Sequence, residues 1–165
     1  MTPLYFANVT IHVLAALLWL GGMIFLAVVG APVLRRVRPD ALRAELFRRL
    51  GEAFRIAGWL AVAVLVATGT LNLYFHGWLE RGVLGSSVFW GSPPGRSLAL
   101  KLATVLFMIA TEAVHDFALG PRASRAEPGS PEAVRYRRLA AWIGRVNTVV
   151  ALALVYASVR LARGA

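Results

Sequence analysis

An all-α fold, a polytopic bundle of four transmembrane helices, is the class this 165-residue sequence predicts, and three observations predict it. First, 58% of the residues are hydrophobic and only 16% are charged, whereas a soluble domain carries about 25% charged residues; the mean hydropathy is +0.65. Second, four segments approach the ~20 apolar residues that cross a ~30 Å hydrocarbon core. They run over about 4–29, 56–75, 97–118 and 139–161. Third, the arginines cluster between these segments rather than within them.

The first segment lies in a stretch, Met1 to Leu34, with no charged side chain apart from a proton that His12 can take up. Its apolar part is too long for a signal-peptide core, and it lacks a basic leader, so it reads as a retained helix. Asn8, His12, Ala15, Trp19 and Gly22 recur at four and three residues and therefore share one face. The second segment has no charged side chain and places Thr68, Asn72 and His76 on one face. Before it, Asp40 to Leu50 spaces Leu42, Leu46 and Leu50 four apart among charges, the pattern of an amphipathic extension at the membrane surface.

The third segment carries Lys101 inside the run Ser97 to Ala110, where a charge calls for a partner or a task. Lys101, Thr104, Met108, Thr111 and His115 keep to one helical face. The fourth holds Arg145 and Arg160 near its two ends, where long side chains can snorkel to the interface. No strong internal repeat and no soluble domain boundary are expected, so residues 1–165 read as a single four-helix domain.

Charge orients the bundle. The first and third connections hold twelve arginines, whereas Arg81, Arg96, Arg160 and Arg163 are the four on the other side. The bias places the arginine-rich loops in the cytoplasm and both termini outside it, in a plasma or inner membrane. The net charge of +10 belongs to these flanking segments, which makes the lipid bilayer the partner and argues against nucleic acid. The absence of cysteine excludes disulfides, thiolate metal sites and thiol catalysis.

Depth along the helices sorts the histidines. His12, Asn72, His76 and Lys101 fall towards the outer side and are expected to cluster there. Glu112, His115, Asp116 and Arg145 fall towards the cytoplasm, where a carboxylate and Arg145 would neutralise one another. Glu112-Ala-Val-His115 has the Glu-x-x-His spacing of di-iron bundles, but the second copy and further glutamates that such a site needs are missing.

Three stretches carry a family resemblance: Ile11-His-Val-Leu-Ala-Ala-Leu-Leu-Trp-Leu-Gly-Gly-Met-Ile-Phe25, Ala67-Thr-Gly-Thr-Leu-Asn72 and Leu100-Lys-Leu-Ala-Thr-Val-Leu106. They resemble the first, second and third helices of the copper resistance protein D superfamily. The chain is also similar to the related HemJ-type protoporphyrinogen oxidases, which pair an early helical His with a third-helix Lys and are associated with heme b. In that comparison His12 matches the first-helix His and Lys101 the third-helix Lys.

Two functional readings follow. The first is a heme b-binding membrane protein with a redox role, in electron transfer or as an oxidoreductase, working with a redox partner or quinone. His12 and His76 would be axial ligands, Lys101 would anchor a propionate or substrate carboxylate, and Arg81 or Arg96 would assist. His115 is the less favoured second ligand. The alternative is a copper-handling membrane protein without catalysis, with His12 and His76 as imidazole ligands. Its methionines are few, Met1, Met23 and Met108. A third possibility is that the polar groups are interhelical glue in an assembly, including a homo-oligomer.

Overall fold

The computed structural model describes residues 2–80, 82–126 and 130–163, without the side chains of Ser124, Ala133, Arg137, Leu161 and Ala162. Helix α1 (Pro3–Phe25) passes through a π-helical segment (Leu26–Gly30) into the short α2 (Ala31–Leu34). Helix α3 covers Asp40–Phe75. A one-turn helix, α4 (Ser87–Gly91), precedes α5 (Pro93–Ala113), which continues through a second π-helical segment (Val114–Leu119) into α6 (Gly120–Arg125). Helix α7 covers Pro131–Ala162. Four helical stretches are long and apolar enough to cross a membrane: Pro3–Leu34, Asp40–Phe75, Pro93–Ala123 and Val134–Arg160. The protein is a multi-pass membrane protein of all-α class, as the sequence predicts.

The outward faces suit lipid. Leu17 and Leu60 are 63% and 64% exposed, and many leucines and valines beside them are open as well. Such a continuous apolar surface far exceeds what a soluble monomer exposes.

The expected amphipathic extension is not a separate element. It is the first part of α3, whose 36 residues span about 54 Å at 1.5 Å per residue, more than the hydrocarbon core requires. Pairs three and four residues apart support it: Glu45 accepts from Arg48 at 2.7 Å and from Arg49 at 2.6 Å, and Arg48 reaches Glu52 at 2.9 Å.

The two π-helical segments share one cause. A proline at the next turn has no N–H, and its ring would strike the carbonyl four residues back in a regular α-helix. Pro32 and Pro121 stand just beyond the two segments. The ladder widens accordingly: Ala31 N–H reaches the Leu26 carbonyl and Gly120 N–H the His115 carbonyl, each five residues back.

The chain divides into two compact units, Met1–Ser86 and Ser87–Ala165, each a helical hairpin in which a π-helical segment precedes a proline, and a shift of 89 positions brings some of their buried positions and breakers into register. A shift of 89 positions carries His12 to Lys101, Pro32 to Pro121, and Phe47-Arg-Arg-Leu50 to Tyr136-Arg-Arg-Leu139. The same shift carries buried Asn8, Ala15 and Trp19 onto buried Ser97, Thr104 and Met108. It also carries buried Gly58, Val62 and Thr68 onto buried Asn147, Ala151 and Ala157. Few letters are identical because most lipid-facing positions accept any large apolar residue. The correspondence lies in the buried positions and the helix breakers.

Within the first unit, α1 and α3 run antiparallel. Asn8 meets Asn72 at one end, and the Phe54 ring sits on Gly22 towards the other, where an added Cβ would lie 2.3 Å from Phe54 Cε2. Within the second unit, α5 and α7 pack along Ser97, Leu98, Thr104 and Met108 on one side and Asn147, Ala151, Leu154 and Ala157 on the other.

Candidate functional site

The polar groups of the first unit form a ladder along the α1–α3 seam. Asn8 Nδ2 donates to Asn72 Oδ1 at 2.9 Å and to the Thr68 carbonyl at 3.0 Å. One turn further along α1, His12 Nδ1 lies 2.7 Å from Thr68 Oγ1. Gly69 gives the ring room: a Cβ there would lie 3.5 Å from His12 Cε1.

These contacts decide the histidine's chemistry. The Thr68 hydroxyl has one proton and donates it to the Val64 carbonyl at 2.6 Å. Its oxygen is therefore the acceptor towards His12, and the proton of the neutral ring stays on Nδ1. In that tautomer Nδ1 is the donor and Nε2 the nitrogen of the type that ligates metals. A hydrogen bond that fixes the tautomer and orientation of an imidazole in this way is what metal-binding histidines use.

His76, just past the end of α3, is held in the same tautomer. Its Nδ1 is 2.7 Å from the Asn72 carbonyl, which can only accept. Its ring is exposed and lies against Tyr5 and Trp78, with centroids 6.0 and 5.1 Å away. A cavity of about 390 Å³, lined by Tyr74, Phe75, Gly77, Leu79 and Glu80, opens beside it.

His12 and His76 are held by different partners. His12 Nδ1 meets α3 at Thr68, and the His76 ring folds back onto the Asn72 carbonyl, one helical turn further on; the two imidazoles share no hydrogen-bond partner in these contacts.

Lys101 and Arg96 belong to the second unit, where Lys101 is half-buried and Arg96 exposed. Arg81 lies outside the described residues.

The expected inner cluster forms with one change. His115 Nδ1 is 3.0 Å from Asp116 Oδ1, with Asp116 buried, both on the π-helical segment. The side chain that meets Glu112 is Asn147, not Arg145. Fully buried, it accepts from Thr111 Oγ1 at 2.7 Å and directs Nδ2 to Glu112 Oε2 at 3.5 Å, whereas Arg145 is exposed. A neutral amide satisfies a hydroxyl and a carboxyl in apolar surroundings without a second buried charge, which is the cheaper solution. Asn147 went unnoticed in the sequence, although a lone Asn in an apolar stretch is itself a signal.

Among the described residues no group of three or more His, Cys, Asp or Glu side chains is arranged to hold a metal ion.

Comparison with known proteins places the chain in a family. The family described as copper resistance protein D matches residues 45–161. An uncharacterized protein of Aquifex aeolicus (strain VF5) is 32% identical over 155 residues, covering 93% of this chain and 92% of that protein. No solved structure matches. Since the family match extends over more than half of the sequence and the relative over nearly all of it, the chain belongs to the copper resistance protein D family.

Proposed function

We propose that this protein handles copper within the membrane, receiving the ion at His76 and passing it to His12. The observation that carries this reading is the Thr68 hydroxyl at 2.7 Å from His12 Nδ1, which fixes the orientation of an imidazole inside the α1–α3 seam. Imidazole suits copper. The family's description points to copper, and two imidazoles held one after the other along α3, at Thr68 and at the Asn72 carbonyl, suit a cargo that is passed on. An ion that is transferred must bind well enough to arrive and weakly enough to leave.

Thr68 supplies the test. Thr68→Val keeps the shape and removes the hydroxyl, so the ring loses its orienting partner, and Cu(I) affinity of the detergent-purified protein should fall by about 10- to 100-fold. Thr68→Ser should restore most of it. Equal affinities in all three proteins, measured by competition with a Cu(I) chelator, would remove the basis of the reading.

The arginine bias supports the direction. With both termini outside, His76 stands at the outer end and copper meets it first. A reporter fused after Arg125 should then be active in the cytoplasm and one fused after Ala165 outside it. The reverse pattern would turn the direction of transfer around.

A further inference from the structure

We propose that the second unit carries an anion site, a groove between α5 and α7 that takes a phosphate-type anion. The shift of 89 positions aligns His12 with Lys101 and Thr68 with Ala157. The second unit has neither the imidazole nor the hydroxyl at these positions; it has a half-buried lysine and a small, buried alanine.

Next to these two positions lies a groove of about 300 Å³ lined by Pro93, Arg96, Ser97, Leu100, Ala157 and Arg160. Arg96 comes from α5 and Arg160 from α7. None of the lining residues is acidic, and neither arginine makes an ion pair among the described residues. Side chains on a helix lean towards its N-terminus, so the Lys101 stem, four residues after Ser97 on the same face, leads towards the groove rather than away from it.

Guanidinium groups from two helices around one groove repel one another unless an anion stands between them. They also present the forked donors that grip phosphate oxygens in pairs. The groove lies where α5 begins and α7 ends, at a membrane boundary, where phosphate occurs both in lipid head groups and free in solution. The chemistry is shared by the two sources.

The test uses the full chain in detergent, with phosphatidylglycerol followed by native mass spectrometry and inorganic phosphate by calorimetry. Retention of the lipid assigns the head group. Binding of phosphate alone assigns the free ion. In either case Arg96→Gln with Arg160→Gln should weaken binding at least tenfold, while the exposed pair Arg35→Gln with Arg36→Gln should leave it within twofold. These surface changes remove no buried contact, and an unchanged helical circular dichroism spectrum checks the fold. Failure of wild type to bind either probe overturns the proposal. So do equal losses in the two double variants, which would mean diffuse attraction by a basic surface. The copper reading is untouched by either result, because its residues lie in the first unit.

Discussion

Gly95→Ala is expected to disrupt the start of the second unit more than any other single methyl group added to this chain. A Cβ at Gly95 would lie 1.9 Å from the Phe89 carbonyl oxygen, 2.7 Å from its carbon and 3.0 Å from Trp90 Cα. All three are backbone atoms of α4, so no side chain can swing away. Relief requires α4 to lift off α5, or the first turn of α5 to unwind. The second course would break the Ser92 cap, whose Oγ accepts from Gly95 N–H at 3.3 Å. Overpacking of this kind costs about 3 kcal/mol or more, which for a protein of this size lowers the melting midpoint by roughly 6–12 °C. Gly91→Ala is the control, because an added Cβ there meets nothing within 4 Å. Melting curves of the purified proteins by circular dichroism should separate the two. Matching midpoints would show that the α4–α5 corner is not packed as described.

Much of the fold was legible in the sequence because lipid imposes long apolar runs that composition alone reveals. The four spans and the face carrying Asn8, His12, Ala15 and Trp19 came through in this way. The boundaries did not, for two physical reasons. The arginine-rich lead of α3 is helical through its own Glu–Arg pairs, so no break separates it from the span. Pro32 and Pro121 interrupt the α-helical ladder without ending the helix, since a π-helical turn absorbs each of them.

The site was legible only in part. Depth along a helix put His12 and His76 on one side of the membrane, but it could not give their partners, Thr68 Oγ1 and the Asn72 carbonyl, which depend on how α1 packs on α3 and on how the chain turns after Phe75. The partner of Glu112 was misjudged because charge complementarity favoured Arg145. Packing instead gave the place to Asn147, fully buried in the α5–α7 seam.

The central claim, that His12 carries copper, is tested most directly by Cu(I) titration of wild type and His12→Ala in detergent under reducing conditions, read by competition with a chelator. The ring is held by Thr68 Oγ1 at 2.7 Å beside Gly69, and its removal shortens one side chain in an otherwise unchanged apolar helix, so insertion and melting should stay close to wild type. If loss of the orienting hydroxyl costs up to about 100-fold, loss of the ligand itself should cost more than that, above about 2.7 kcal/mol. His76→Ala should lower the occupancy of a second, weaker site and leave the tighter one in place. A His12→Ala protein that folds and binds Cu(I) with wild-type affinity and stoichiometry would contradict the account.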